Sequence, residues 1–238
     1  MKKLLSLFLL LACLLKPVSA EDGSRLWLRQ STDAHAQITA PRQSPTLNIA
    51  VNELKQAWKG LPVTLVLKKD KQLSSEGFRI RQVNEKLTVT SPTETGLLYA
   101  AYHLIRLQEM RNFGKPSETD LEITENPAYD LRILNHWDNL DRSIERGYAG
   151  KSLWNWEELP GTLSDRYEAY ARANASIGIN ATVLNNVNAS SKILSAEYLE
   201  KVKALADVFR PYGIKVYLSI NFASPMQLGG LSTADPLD

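Results

Sequence analysis

The spacing of apolar positions divides the chain into a stretch of mixed elements and a stretch in which one unit recurs. Over residues 46–58, Leu47, Ala50, Val51, Leu54 and Trp58 fall three or four apart, the period of one helix face. Gly60 and Pro62 end that run. Residues 63–67 are a β-branched strand that gives way to Lys68-Lys69-Asp70-Lys71. Residues 77–82 and 86–90 alternate on either side of a short polar turn and predict a hairpin. Ser91-Pro92-Thr93 closes the second of these strands and caps a helix over 94–110. That helix carries Leu97, Leu98, Ala101, Leu104, Ile105 and Gln108 on one face. Residues 25–29 alternate as an edge strand would. Gly114, Pro116 and Pro127, with few apolar residues between them, predict a linker over 112–126. The whole reads as a small α/β domain over 21–126. It is a scaffold, because nothing in it groups acids, bases or ligating side chains.

From residue 127 the pattern is a short apolar run, a switch to polar and aromatic residues, and an amphipathic helix. The first run, 131–134, is expected to fill a core, and it changes to Asn135-His136-Trp137-Asp138-Asn139. A helix follows over 163–177, with Tyr167, Tyr170, Ala171 and Asn174 at helical spacing and Gly178 ending it. The second strand, 181–184, switches to Asn185-Asn186-Val187-Asn188. Ser195 then caps a helix whose stripe is Leu199, Val202, Leu205, Ala206 and Phe209, stopped by Pro211 and Gly213. The third strand, 215–220, switches to Asn221-Phe222-Ala223-Ser224-Pro225. Strand and helix in alternation mean parallel strands joined by crossover helices. Short strands with polar C-terminal ends suit a (β/α)₈ TIM barrel better than a doubly wound sheet. No Gly-rich phosphate loop follows any strand. A full barrel takes eight units and about 250 residues, whereas three units are present. The expectation is therefore an incomplete barrel over 127–238, the front part of a longer protein.

Composition narrows the function classes. A hydrophobic share of 44% with 23% charged residues is that of a globular chain, which excludes disorder. Of 28 basic residues, Lys2, Lys3 and Lys16 lie in the first twenty, leaving 25 against 26 acidic ones. Without a basic run there is no electrostatic case for nucleic acid. Met1-Lys2-Lys3, an apolar stretch over 4–15 and Val18-Ser19-Ala20 form a secretory signal over 1–20, cleaved after Ala20, so the product is secreted or periplasmic. The apolar stretch is shorter than the roughly 20 residues that a membrane span needs. Leu10-Leu11-Ala12-Cys13 loosely fits a lipid-attachment box, the alternative being a lipoprotein anchored through Cys13. Cys13 is the only cysteine, so removal of the signal leaves no disulfide and no thiolate chemistry. His35, His103 and His136 lack metal-ligand spacing, and neither a metal nor a cofactor is expected.

The candidate binding residues stand at the three strand ends. The indole of Trp137 can pack against a sugar ring and donate its N–H, or it can be core beneath the loops. Asp138 can bond a sugar hydroxyl or cap its own loop, and Asn139 lies beside it in the same turn. Asn185, Asn186, Asn188 and Asn221 offer donors and acceptors to sugar hydroxyls, and they are equally common turn formers. Trp154 and Trp156 lie in the long loop that follows, one read as packing and the other as a pocket wall. Arg132 sits at the strand start and points away from the mouth. Arg146 and Lys151 are read as solvated loop charges.

Three motifs carry a family resemblance. HWDNLD with GYAG and SLWNW over 136–156, NATVLNNVNA over 180–189, and KVYLSINFASP over 215–225 with LGGLSTADPLD behind it resemble the α-glucuronidases of glycoside hydrolase family 67. TETGLLYAAYHLIRLQ over 93–108 resembles that family's N-terminal domain, a hexosaminidase-like type shared with β-hexosaminidases. The resemblance implies an inverting enzyme that releases (4-O-methyl)glucuronic acid from glucuronoxylan-derived oligosaccharides in xylan breakdown. Inversion uses an acid and a base about 6.5–9.5 Å apart, with a water between. In the family these come from later strands, beyond Asp238, so no catalytic residue is assigned in this chain. The resemblance makes Trp137 a substrate contact and places Val187 beside the uronic acid, with room for a methyl ether. It allows a homodimer formed through sequence beyond Asp238. Two alternatives stand beside it. One is a carbohydrate-binding fragment without hydrolysis. The other is a different hexosaminidase-like glycosidase, which would show an acidic pair at a single strand end.

Overall fold

The computed structural model describes residues 27–28, 34–111 and 121–234. The expected signal over 1–20 with Cys13, residues 112–120 of the expected linker, and most of 25–29 fall outside those residues. Of the expected edge strand only Trp27 and Leu28 are described; Trp27 lies in a turn and Leu28 is buried.

The first sheet is built from β1 (Ile38–Thr39), β2 (Val63–Leu67), β3 (Phe78–Val83), β4 (Lys86–Ser91) and β5 (Leu121–Glu125), in the order β1-β2-β4-β3-β5. β1, β2 and β4 run parallel, and β3 is antiparallel to both β4 and β5. Alternation makes the sheet one-sided. Val63, Leu65, Phe78, Ile80, Leu87 and Val89 are buried under α1 (Pro45–Ala57) and α2 (Glu94–Arg111). The opposite face carries Arg79 and Arg81, both ion-paired with Glu122. Ser44 caps α1 by accepting the Leu47 N–H, and Thr93 caps α2 by accepting the Gly96 N–H. Residues 121–125 are thus a strand and not linker. Leu121 and Ile123 alternate with Glu122 and Thr124, as in an edge strand with one wet face.

The second sheet is β6 (Ile133–Asn135), β7 (Ala181–Val183) and β8 (Lys215–Tyr217), all parallel, with β7 in the middle. The crossovers are α3 (Asp165–Ser176) and α4 (Ala196–Phe209), capped by Ser164 and Ser195, and a short α5 (Ser224–Gly229) follows β8. Gly178 takes φ 80° after α3, and the N–H of Ile179 returns to the Asn174 carbonyl, the left-handed stop that glycine favours.

Two expected burials do not hold. Leu131, Ile133 and Leu134 are 49%, 36% and 39% exposed rather than core. Among the described residues β6 is the edge strand of its sheet, paired only with β7. On α4, Leu199 faces solvent and Lys201 is buried in its place. Its ammonium donates to the Trp156 carbonyl at 2.8 Å, meets Glu197 at 3.1 Å and lies 4.7 Å from the centre of the Tyr198 ring.

A single apolar cluster runs through both sheets, from Leu47, Leu54 and Leu97 to Tyr167, Leu205 and Phe209. Polar contacts cross the same junction. Arg172 forms two bonds to Glu53 at 2.5 and 2.8 Å. Arg106 donates to the Ser176 carbonyl, and Arg132 and Asn180 both reach Glu76. Thr95 packs where a Cβ on Gly213 would stand.

Candidate functional site at the strand ends

The C-terminal ends of β6, β7 and β8 lie side by side and are stitched together. The His136 N–H donates to Val183 O at 3.1 Å, and the Asn186 N–H to Asp138 O at 2.8 Å. The Asn185 side chain bridges to the third strand, taking the Ser219 N–H at 3.0 Å and giving its own N–H to Ser219 O at 2.9 Å.

These bonds sort the candidate residues. Trp137 and Val187 are open, at 47% and 44% exposure, and Asn188 is exposed. Asp138, Asn185 and Asn186 are buried and committed to the protein. Asp138 accepts the Ser152 hydroxyl at 2.5 Å, and Asn186 accepts the Asn188 N–H in a local turn. Half-buried Asn139 gives its amide hydrogens to Ser143 Oγ and Glu145 O. Asn221 accepts the Ala223 N–H through its side chain and the Ser224 hydroxyl through its carbonyl, shaping the start of α5. Asn139 and Asn188 do meet across a groove of about 420 Å³, together with Asp141, Lys192 and Tyr198.

The long loop after β6 folds back on itself through bridges from Asp138 to Ile144 and from Ser143 to Lys151. Trp154 and Trp156 are both fully buried, so neither walls a pocket. Trp154 is enclosed by His136, Tyr167, Tyr170 and Phe209, with ring centroids 5.1–5.9 Å apart. Arg132 lies at the opposite end of the strands, holding Gly178 O, Tyr129 O and Glu76. A separate cavity of about 240 Å³ adjoins it there, lined by Tyr99, His103 and Arg106.

Sequence reasoning missed four groups tied to the neighbours of Trp137: His136, Ser152, Tyr170 and Thr182. His136 Nε2 is 2.7 Å from Tyr170 Oη, which is 3.0 Å from Thr182 Oγ1. Burial holds the His136 imidazole below its usual range, with the charge of Asp138 pulling the other way, and burial raises the Tyr170 phenol. Only His136 carried a signal, its place beside Trp137. Nothing in sequence spacing ties Tyr170 to it.

Among the described residues no group of acids, histidines and cysteines is placed to hold a metal, and no helix is long and apolar enough to cross a membrane. Residues 112–238 match the model of the glycosyl hydrolase family 67 middle domain. The chain belongs to that family. It is similar to the alpha-glucuronidase A of Aspergillus tubingensis, 36% identical over 97% of this chain and 31% of that protein. The corresponding figures for alpha-glucuronidase A of Emericella nidulans are 34%, 97% and 32%. Probable alpha-glucuronidase A of Aspergillus clavatus is 42% identical over 70% of this chain and 19% of its own length. The family 67 chain thus spans about a third of the length of the first two relatives. Among solved structures, a GH138 enzyme targeting pectin rhamnogalacturonan II superposes with a TM-score of 0.56 at 15% identity, over 77% of this chain and 30% of that one. That likeness concerns the mixed α/β fold.

Proposed function

We propose that this chain is the substrate-facing front part of an exported, inverting α-1,2-glucuronidase that releases (4-O-methyl)glucuronic acid from xylo-oligosaccharides. In this reading β6, β7 and β8 are the first three strands of a (β/α)₈ barrel over 127–238. The scaffold over 21–126 precedes it, and the signal over 1–20 directs export. The acid and base come from sequence outside this chain, consistent with its covering 31% of the Aspergillus tubingensis relative. The observation that carries the reading is Trp137, a half-exposed indole at the mouth of the first of three parallel strands, with exposed Val187 at the mouth of the next. That is where a barrel of this kind binds its ligand.

The intact protein incubated with aldouronic acids should release the uronic acid with inverted anomeric configuration, seen by NMR in the first turnovers. No release overturns the activity. Trp137→Ala tests the site. A tryptophan buries about 200 Å², and roughly half of the Trp137 side chain is open. A sugar ring over it therefore covers about 100 Å², about 2.5 kcal/mol at the usual apolar coefficient. The expected loss in kcat/KM is roughly 50- to 100-fold. An unchanged kcat/KM removes Trp137 from the site.

A further inference from the structure

The three residues at the mouth of β6 are held unequally. The Trp137 side chain stands half in solvent, while both neighbours are tied inward. On one side His136 Nε2 meets Tyr170 Oη at 2.7 Å, and Tyr170 Oη meets Thr182 Oγ1 at 3.0 Å. On the other, Asp138 accepts the Ser152 hydroxyl at 2.5 Å, and Ser152 Oγ accepts the Trp154 N–H at 3.0 Å. His136 Nδ1 faces Asp138 Oδ1 at 3.8 Å, where the two arms meet. A consistent assignment of protons satisfies both arms and sets an N–H toward the carboxylate. Thr182 donates to Tyr170, Tyr170 donates to Nε2, and Nδ1–H faces the carboxylate that also receives Ser152.

The backbone is pinned at the same three residues. His136 N–H reaches Val183 O, Trp137 O receives the Glu145 N–H at 2.7 Å, and Asp138 O receives the Asn186 N–H. The loop closed by Ser152 holds two non-glycine residues in the left-handed region, Arg142 at φ 71° and Glu145 at φ 55°. Such conformations persist only where their surroundings over-determine them. These bonds hold the backbone of residues 136 to 138, and of the three side chains only the Trp137 indole stands half exposed.

We propose that two hydrogen-bonded arms, Thr182–Tyr170–His136 and Asp138–Ser152, which face each other across 3.8 Å between His136 Nδ1 and Asp138 Oδ1, form a positioning device that fixes how Trp137 presents its indole to a pyranose ring. Its functional consequence rests on the reading of Trp137 as a sugar contact; its geometric consequence does not.

The test uses the intact protein. Tyr170→Phe keeps the ring packing and removes the hydroxyl shared by His136 and Thr182, and Thr182→Val breaks the same arm more mildly. Ser152→Ala opens the other arm, and Ser152→Thr keeps the hydroxyl. Acrylamide quenching of tryptophan fluorescence, taken as the difference from the same variant carrying Trp137→Phe, isolates Trp137. The expected result is altered Trp137 quenching in the first three variants. With it comes a rise in KM for aldouronic acids of about fivefold, the net worth of one neutral hydrogen bond, at nearly constant kcat. Ser152→Thr should behave as the parent. Unchanged quenching and KM in Tyr170→Phe and Thr182→Val, whatever their melting temperatures, overturn the proposal. So does altered quenching with an unchanged KM in a protein whose KM does respond to Trp137→Phe. Altered quenching, with a KM indifferent even to Trp137→Phe, upholds the positioning of Trp137 and overturns its role as a sugar contact.

Discussion

Replacing Arg172 by methionine probes the junction between the two sheets at its most charged point. The Glu53 side chain is 7% exposed, and its carboxylate receives two hydrogen bonds from the Arg172 guanidinium, at 2.5 and 2.8 Å. The Tyr102 hydroxyl adds a long third contact at 3.4 Å. Methionine fills much of the volume of the arginine stem but leaves a buried carboxylate with that one partner. Stranding one member of a buried ion pair costs about 3–5 kcal/mol. The Arg172 side chain is 25% exposed, so water reaches this pair and the lower end, about 3 kcal/mol, applies. For a chain of this size that corresponds to a fall in Tm of roughly 6–12 °C. The double variant Glu53→Gln/Arg172→Met leaves no buried charge and should recover most of the loss. Urea denaturation of the parent, the single and the double variant measures both steps. A single variant within about 1 kcal/mol of the parent would mean that the pair is only a surface contact. A double variant no better than the single would show that the loss comes from packing rather than charge.

Two further outcomes follow from groups at the strand ends. Asn185→Ala leaves both backbone groups of Ser219 without their side-chain partner, and denaturant titration should show a loss of about 1–3 kcal/mol; a neutral result would mean that water replaces the amide. His136 is held below the usual histidine value by burial, so the unfolded chain binds more protons at mildly acid pH. Stability is then full above the ordinary histidine value of 6.5 and is lost as pH falls from there toward the lower folded value. His103 is lowered for the same reason and adds to the slope. His136→Gln should flatten the fall in Tm between about pH 7 and pH 5, and an unchanged slope would refute this assignment.

Much of the scaffold was legible before any coordinates. Thr93 and Ser195 cap the helices as read, because capping is a local exchange between a hydroxyl and an N–H two or three residues on. The alternation of strand and amphipathic helix correctly predicted three parallel strands. What was not legible depends on partners far along the chain. Leu121–Glu125 looked like linker because its pairing with β3 lies some forty residues back. Asn185 reads as open to either a sugar hydroxyl or a turn, because an amide satisfies a backbone as readily as a hydroxyl; its bond to Ser219, 34 residues away, could not be foreseen from spacing. Trp154 and Trp156 lie in a loop rich in glycine and charge, where spacing carries no burial signal, yet His136, Tyr170 and Phe209 close around the first of them. Lys201 occupies the face that a hydrophobic count gives to Leu199, since an ammonium is tolerated there once a carbonyl and an aromatic ring receive it.

The continuous core across the junction limits how far this chain can be treated as two exchangeable modules. Glu53, Glu76, Thr95 and Arg106 come from the first sheet and its helices, and each fits a particular group in the second: Arg172, Asn180, Gly213 and Ser176. A hybrid joined near residue 126 keeps each fit only where the incoming half carries the matching group. Exchange of either half of this chain is therefore constrained less by where it is cut than by four contacts between residues 70 to 119 positions apart.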